Sequence, residues 1–476
     1  VADLIRDSYL LEQSGEVSAA LKHAEQALEF AKKGGDSAEI AAALACMALF
    51  HYHLGHFDKA SALSGEALHN VQPDSQTSVE ALRILGNCAH EAGNLSAAQG
   101  YFHQAIDTAR SQGYHPLLQS CLHSLSACVY LPRGQFELAL AADEEALRLA
   151  LDLGLNDRIW FSLDIIGWIY WMTGQRGRAV AALAQMKEVV QPGSMAEGYY
   201  LCLCADLVMD GGDSGEALEY LTHARSIAEL IGDPGLNAEV RLGLSRCQRR
   251  LGHPPAAYTW ADDAQATAQR AGSTDLQGTA LIERALACWA VGDPGRAEAD
   301  LLAAGEILGP LQAHFDLARI SFYLAALYQQ QERPEAQAAW LEAVNRITSG
   351  GYTFLLERER SLAFPLLADH LNSHDPQAAA LADRLLAQLA DVPPPPLRID
   401  TLGRFEVRQG SQVISEQAWR QRKAGELFRL LLICPRRSAL HDQAIQALWP
   451  DKSPAAVQAF FHQATSSLRK ALEPDL

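Results

Sequence analysis

Glycine and alanine interrupt the apolar pattern of the first 345 residues at a regular interval. A glycine followed five residues later by an alanine occurs eight times, at spacings of 38 to 41 residues, and Gln331 replaces the glycine in a ninth copy. Between these positions apolar residues recur three and four apart, as at Leu44, Met47 and Ala48. This period predicts amphipathic α-helices, and a glycine at a helix end adopts the left-handed turn conformation without a Cβ clash. The eight glycines are Gly15, Gly55, Gly93, Gly134, Gly174, Gly212, Gly252 and Gly292.

A second alanine follows seven positions after the first in eight of the nine copies, and Met186 takes its place in the fifth. Seven residues are about two helical turns, so the two small residues lie on one face of a helix. Small side chains on that face let neighbouring helices approach closely. The sequence therefore predicts about nine antiparallel α-α hairpins of roughly 40 residues over residues 1–345.

These hairpins resemble the tetratricopeptide (TPR) family, whose basic repeat is about 34 residues long. The resemblance implies a mainly α fold, a right-handed α-α superhelix with a concave groove lined mainly by the first helix of each pair. It also implies a peptide or protein partner in that groove, with self-association into a homodimer as the other use of the same surface.

The first helix of the fifth pair is unusually aromatic. Trp160, Trp168 and Trp171 fall within about 80° of one another at 100° per residue, and Asp164 lies on nearly the same face. Two interpretations stay open. The tryptophans either form a patch that binds a partner or fill the core between repeats, and Asp164 is either a partner contact or a buried cap.

The regular pattern weakens towards the end of the repeats, where Gly350-Gly351 interrupts it. Helices over Tyr352–His370 and Asp375–Leu389 are expected to cap the open end of the array. Four consecutive prolines then favour an extended polyproline segment. The predicted layout is residues 1–345 for the repeats, 346–390 for capping helices, 391–396 for a polyproline linker and 397–476 for a C-terminal domain.

The C-terminal domain begins with alternating apolar and polar residues over Leu397–Leu402, Phe405–Arg408 and Gln412–Ile414. Such alternation with short turns predicts a small antiparallel meander. Three helical segments follow, the last over about Ser453–Leu472. Its apolar stripe is predicted to be Val457, Phe460, Phe461, Ala464, Leu468 and Leu472.

Four motifs of this domain occur in the order found in one known family. They are Leu402-Gly403-x-Phe405-x-Val407, Trp419-x-x-Arg422-Lys423-Ala424, Leu448-Trp449-Pro450 and Leu468-Arg469-Lys470-Ala471-Leu472-Glu473-Pro474. Together they resemble the DNA-binding domain of the bacterial SARP-type activators, a branch of the OmpR-like winged helix-turn-helix class. The resemblance implies a small α+β winged helix that binds double-stranded promoter DNA. Family members continue into a hairpin that forms the wing, so we expect the wing to be truncated here, and their repeats follow the DNA-binding domain rather than precede it.

By this resemblance, the last helix is the recognition helix in the major groove, where glutamine and arginine pair with adenine and guanine edges. The first helix of the domain would hold a backbone phosphate at its N-terminus. The residues expected to contact DNA are Arg420, Arg422, Lys423, Arg436, Arg437, Gln458, His462, Gln463, Ser466, Arg469 and Lys470.

Charge is divided unevenly between the two parts of the chain. Residues 397–476 hold 12 Lys/Arg and 8 Asp/Glu, a net +4, whereas residues 1–396 hold 27 and 49, a net −22. Acidic bulk repels DNA, so contact with DNA is expected only in the C-terminal domain.

The sequence contains little that indicates catalysis, cofactor binding or metal binding. No GxxxxGK[ST], GxSxG or HExxH pattern occurs, so we expect no enzyme, no cofactor and no metal site. The N-terminus lacks the features of a signal peptide, and no apolar run reaches 18 residues, which favours a cytoplasmic protein without a membrane span.

These observations favour a DNA-binding transcriptional regulator, with activation as the expected direction. Its repeats would sense a peptide or protein partner or mediate self-association. Two alternatives stay open. The protein is a TPR scaffold whose C-terminal domain docks another protein, or it is the C-terminal part of a longer STAND-ATPase regulator.

Overall fold

Nine consecutive antiparallel helix pairs make up most of the chain in a computed structural model. The structure describes residues 1–13, 17–371, 376–390, 397–401, 405–409, 412–414, 419, 422–434, 437–450 and 454–472. The pairs are α1 (Ala2–Gln13) with α2 (Val17–Gly34), α3 (Ser37–His53) with α4 (Phe57–His69), α5 (Gln76–Glu91) with α6 (Leu95–Gln112), α7 (His115–Leu125) with α8 (Phe136–Leu153), α9 (Asn156–Met172) with α10 (Arg176–Val189), α11 (Met195–Asp210) with α12 (Ser214–Ile231), α13 (Pro234–Arg250) with α14 (Pro254–Ala271), α15 (Thr274–Val291) with α16 (Pro294–Leu308), and α17 (His314–Gln330) with α18 (Ala336–Gly350).

The glycine and alanine positions behave as their spacing predicts. All seven repeat glycines from Gly55 to Gly292 have positive φ between 72° and 92°, and Gly15 lies outside the described residues. The paired alanines from Ala20 to Ala304 are completely buried, as is Met186 in the fifth pair. The prediction of nine α-α hairpins is confirmed.

The ninth pair departs from the predicted pattern. Glu332, not Gln331, takes the left-handed conformation, with φ 53°, and Ala336 is only half-buried. Trp340 and Ala343 of the same helix are completely buried. This pair therefore keeps its core although its turn lies one residue later than the sequence pattern indicates.

A second set of left-handed residues lies between most of the pairs and was not predicted from the sequence. Gly113 and Gly154, for example, follow the second helices α6 and α8 with φ 72° and 67°. Between α16 and α17 the same role falls to Gln312, with φ 56°. The connection from α4 to α5 differs, because Asn70 at the end of α4 has φ −102° and no residue from 70 to 75 has positive φ. Most connections thus reverse the chain through a left-handed residue.

The first helix of the fourth pair ends in a π-helical turn, Ser126–Tyr130. This turn lies in the interval between Gly93 and Gly134, whose length of 41 residues is the longest among the repeats. A π-helical turn accommodates one extra residue without ending the helix. The longer repeat therefore keeps its packing, and the Ser126 hydroxyl donates to the carbonyl oxygen of Ala139 at 3.0 Å.

The array also packs against itself at a distance in sequence. One hydrophobic core contains residues of α5 to α9 together with residues of α15 to α18 and the helices that follow. We call the centre of this contact the junction and define it by Gly134, Phe136, Phe315 and Tyr352. The Phe136 and Phe315 ring centroids lie 5.1 Å apart, and the Tyr352 hydroxyl donates to the Gly134 carbonyl oxygen at 3.1 Å. The third to fifth pairs therefore contact the eighth and ninth.

Three further helices follow the array. They are α19 (Phe354–Arg358), α20 (Arg360–Leu371) and α21 (Pro376–Ala390). The expected single helix over Tyr352–His370 is thus two helices, and the expected boundary after residue 345 lies inside α18. The predicted linker at 391–396 lies outside the described residues.

The C-terminal residues form a three-stranded antiparallel sheet in the order β1-β2-β3 and three helices. Leu397 pairs with Gln409 and Arg408 pairs with Val413. Three residues of the predicted apolar stripe of the last helix are buried, Val457, Ala464 and Leu468, and Phe461 and Leu472 are half-buried. Phe460 is 43% exposed, so its place in that stripe was wrong. The elements are β1 (Leu397–Asp400), β2 (Glu406–Gln409), β3 (Gln412–Val413), α22 (Arg422–Ile433), α23 (His441–Leu448) and α24 (Pro454–Leu472).

Candidate functional site

Charged side chains lie within the otherwise apolar first helices of the pairs. These helices pack side by side, α9 with α11, α11 with α13 and α13 with α15. Glu283 of α15 pairs with Arg249 at 3.4 Å and with Arg319 at 3.1 Å. Burial alone would raise the pKa of Glu283, but nearby guanidinium groups outweigh burial and lower it. This carboxylate is therefore fully compensated.

A second ion-pair cluster lies one pair earlier, although burial there outweighs the arginine and raises the pKa of Asp206 to about 6. Arg246 of α13 lies 3.2 Å from Asp206 of α11 and 3.2 Å from Glu239. Burial opposes the charge of Arg246, yet Asp206, Glu239 and Glu283 together raise the pKa of its guanidinium. Arginine suits such a position because its planar group binds several carboxylate oxygens at once.

Asp164 of α9 is the exception among these carboxylates. It is half-buried, and within the described part of the chain its carboxylate has no hydrogen bond or ion pair. The pKa of Asp164 is raised to about 7, mainly by burial and in part by the charges of Glu239 and Asp143, while His123 acts in the opposite direction. His123 is itself engaged, since its Nδ1 lies 2.9 Å from Asp143. Among the residues that the structure describes, Asp164 thus has no cationic partner of its own.

Four rings lie next to Asp164 and cross from α7 to α11. We call His123, Phe161, Trp160 and Tyr199 the aromatic row. Successive ring centroids are 5.2 Å, 3.8 Å and 6.0 Å apart. Phe161 and Trp160 precede Asp164 by three and four residues, which places them on the same side of α9. Trp160 is buried, and the other three residues are half-buried, so part of the row faces solvent.

The three tryptophans predicted as a patch are placed differently from one another. Trp160 and Trp171 are buried, and Trp168 is half-buried. The Trp171 indole donates to Asp210 at 2.7 Å, and the Arg358 guanidinium lies 4.1 Å from its ring centroid. These contacts favour the interpretation that Trp168 and Trp171 fill the core between repeats, while Trp160 belongs to the aromatic row.

A cavity of about 840 Å³ lies beside the junction. Phe136, Gln175, Arg346 and Tyr352 are among the residues that line it. Its walls come from the fourth, fifth and ninth pairs, so it exists because the array packs against itself.

The predicted base-contacting residues share one exposed face of α24. Val457, Ala464 and Leu468 are buried on the opposite face, and Thr465 is half-buried with its hydroxyl donating to the Phe461 carbonyl oxygen at 2.8 Å. The exposed residues are Gln458, His462, Gln463, Ser466, Arg469 and Lys470.

The residues predicted to contact phosphates differ in exposure and in the protein groups they already contact. Arg422 is highly exposed and lies 3.0 Å from Glu426, and Arg437 is exposed with φ 54°. Lys423 is half-buried, and its ammonium donates to the Leu448 carbonyl oxygen and to Glu426, both at 2.7 Å. Lys423 therefore already has protein partners. Arg420 and Arg436 lie outside the described residues.

Other chemistry is limited in the described part of the chain. There, no group of three or more His, Cys, Asp and Glu side chains is arranged to hold a metal ion. No helix among the described residues is long and apolar enough to cross a membrane.

Comparison with known proteins supports the fold. No protein-family model and no curated protein matches the sequence. Among solved structures, the chain is similar to the apo form of the quorum sensor NprR from B. thuringiensis, with a TM-score of 0.50, 12% identity, and coverage of 73% of this chain and 98% of that one. It is also similar to a Rap protein complexed with competence and sporulation factor, with a TM-score of 0.44, 13% identity, and coverage of 82% and 98%. The array is a TPR-like superhelix.

The charged side chains of the first helices, apart from Asp164, were not predicted from the sequence. The available signal was a charged residue within a mostly apolar first helix, as at Glu283 of α15 and Arg319 of α17. Such residues are rare in buried helix faces unless they are paired. The contacts of Glu283 with Arg249 and Arg319 join different pairs, so this part of the pairing was not visible in the sequence.

Proposed function

We propose that this protein is a DNA-binding transcriptional regulator, with activation as the expected direction. Its TPR-like array senses a peptide or protein partner or mediates self-association, and residues 397–476 form a winged helix that binds promoter DNA. The partner-sensing part is supported by the fold shared with a quorum sensor.

The observation that carries the DNA-binding part is the polar face of α24. Six hydrogen-bonding or basic side chains are exposed on this helix, and the opposite side is buried against the rest of the C-terminal residues. A helix with one anchored face and one polar, basic face has the form that major-groove readers use. Arg469 and Lys470 lie in its last turn, where they also complement the helix dipole.

Charge distribution supports the same assignment. The net charge is −18 for the chain but +4 for residues 397–476. Phosphate contacts therefore concentrate in the C-terminal part, and the acidic array limits non-specific binding elsewhere.

The test is binding of the full chain to fluorescein-labelled random-sequence duplex DNA, followed by fluorescence polarisation over a range of salt concentrations. If about five basic groups neutralise phosphates, log K falls with log[salt] with a slope near −4 to −5. The double variant R469E/K470E is expected to bind about a hundredfold more weakly at low salt, because it removes two positive charges and adds two negative ones.

A matched control is K32E/K33E, which reverses an adjacent basic pair in the last turn of α2. Both lysines are exposed, and this variant should bind DNA like the wild type. Equal DNA binding by R469E/K470E and wild type would exclude α24 as the DNA-contacting helix. Absence of DNA binding by the wild-type chain at low salt would favour the scaffold alternative.

A further inference from the structure

We propose that Asp164 and the aromatic row form a subsite for a positively charged nitrogen of a peptide partner, either a Lys or Arg side chain or the N-terminal ammonium. This inference rests on the proposed partner-sensing role of the array and names the chemistry of what it senses. It is independent of whether residues 397–476 bind DNA.

Asp164 differs from the neighbouring carboxylates in its ion pairing. Glu283, Asp206 and Glu239 each lie within 3.4 Å of an arginine of the array. Asp143 is paired with His123 at 2.9 Å. Within the described part of the chain, Asp164 has no such partner. A half-buried carboxylate without a counter-ion is unfavourable alone and gains most from an external cation.

The titratable groups around Asp164 are mostly acidic or neutral. From α13, Glu239 contributes negative charge, and from α8, Asp143 does the same. From α7, His123 is the nearest basic group, but Asp143 already engages it. From α11, Tyr199 and Cys202 both experience the Asp164 charge, and burial raises the pKa of each, so both are neutral at pH 7. The surroundings of Asp164 are therefore negative and lack a free cation among the described residues.

The aromatic row adds ring surfaces that suit an organic cation. Half-buried Phe161 and Tyr199 present rings beside Asp164, and cations bind the faces of such rings when they lie within about 6 Å of the centroid. Rings also contact the apolar stem of a lysine or arginine. A carboxylate beside aromatic faces therefore suits an ammonium or guanidinium group on an organic chain better than a bare metal ion.

Other occupants fit these observations less well. Within the described residues no group of three metal-ligating side chains is present, and a divalent cation requires several oxygen ligands. Nucleic acid is anionic and would be repelled by Asp164 and Glu239. A cationic peptide is the remaining class that matches the charge, the rings and the TPR-like fold.

The experiment selects phage-displayed heptapeptides on the immobilised full chain. Wild type is compared with D164N, which removes the charge and keeps the side-chain size, and with D107N as the matched control. Asp107 is exposed on α6, a second helix. Wild type and D107N are expected to enrich peptides with a positive charge, and D164N is not. Synthetic versions of the enriched peptides should bind D164N at least about tenfold more weakly, since a charge-assisted contact is lost.

The two sources of the cation are separated with the same synthetic peptides. Replacing Lys or Arg by norleucine tests the side chain, and N-terminal acetylation tests the terminal ammonium. The change that abolishes binding identifies the group that Asp164 binds. If neither change affects binding, the inference is wrong.

Other results overturn the inference in distinguishable ways. Equal enrichment of cationic peptides by D164N and wild type would show that Asp164 is not the subsite. Enriched peptides that lack Lys and Arg and still bind after N-terminal acetylation would contradict the inference but still support partner sensing. Enrichment of no peptide would contradict both, while the DNA-binding measurement would still decide the role of residues 397–476.

Discussion

Carboxylates in the first helices of the array differ mainly in whether an arginine lies beside them. Glu283 and Asp164 occupy first helices three pairs apart, yet nearby arginines lower the pKa of Glu283 whereas burial is the main cause that raises the pKa of Asp164 to about 7. The physical difference is the presence of Arg249 and Arg319 beside Glu283. An unpaired carboxylate therefore reduces the stability of the folded state at neutral pH.

A stability measurement on D164N tests this conclusion. The folded pKa of Asp164, about 7, lies above its ordinary value of 3.8, so the folded state binds more protons and stability falls as pH rises from about 4 to 7. D164N should be more stable than wild type by about 2 to 4 kcal/mol at pH 8. This advantage should be about 1 kcal/mol smaller at pH 6. Urea unfolding at both pH values measures it, with D107N as the control that should show no such dependence.

At the scale of elements, most turns between helices depend on a left-handed residue, but only some turns also make tertiary contacts. Gly134 and Gly174 both have positive φ, 72° and 76°. A Cβ on Gly134 would lie 2.6 Å from the Phe315 Cβ, whereas a Cβ on Gly174 would meet no atom within 4 Å. The same turn motif therefore has two structural roles.

Comparison of G134A with G174A separates these roles. The left-handed conformation costs each alanine about 1 kcal/mol. G134A also forces the junction apart, which adds about 2 kcal/mol. Chemical denaturation should therefore show G134A destabilised by about 3 kcal/mol and G174A by about 1 kcal/mol. Equal losses for the two variants would mean that the junction contributes little to stability.

For the whole molecule, the junction changes how the array is expected to unfold. An open solenoid is stabilised by contacts between neighbours only. Here Tyr352 bonds Gly134 across 218 positions, and Arg358 bonds the Trp171 carbonyl oxygen at 3.0 Å. The third to fifth pairs and the eighth and ninth pairs thus share one core.

Hydrogen exchange measured by mass spectrometry tests this coupling. In G134A, amides of residues 93–154 and of residues 274–351 should lose protection together and by similar free energies, because opening the junction exposes both segments. In G174A, the amides of the two segments should keep nearly the same protection as in the wild type. Loss of protection confined to the helices next to residue 134 would contradict the coupling.

The uneven distribution of charge is also a property of the whole molecule. Residues 1–396 carry a net −22 and residues 397–476 a net +4. The expected DNA contacts are therefore restricted to one end of the chain, and the proposed cationic subsite lies in the acidic part. These two assignments use opposite signs of charge and are tested by independent variants, R469E/K470E and D164N.

Much of the fold could be predicted from local patterns in the sequence. The helix pairs, the repeat glycines and the buried alanines depend on interactions three, four or seven residues apart, and those patterns are visible in one chain. The exposed face of α24 followed from the same periodicity, with Phe460 as the error. The second set of turn residues was missed because it includes Gln312 and no repeated alanine accompanies it.

By itself, the sequence determined the nine repeated hairpins, the unequal charge of the two parts and the polar face of the last helix, because helix periodicity and turn conformation are local properties. Which carboxylates have cationic partners and which pairs meet at the junction depends on the packing of distant helices. Asp206 and Arg246 are 40 residues apart, and Gly134 and Tyr352 are 218 apart. Such contacts depend on small rotations summed over several pairs, and no local pattern in the chain specifies that sum.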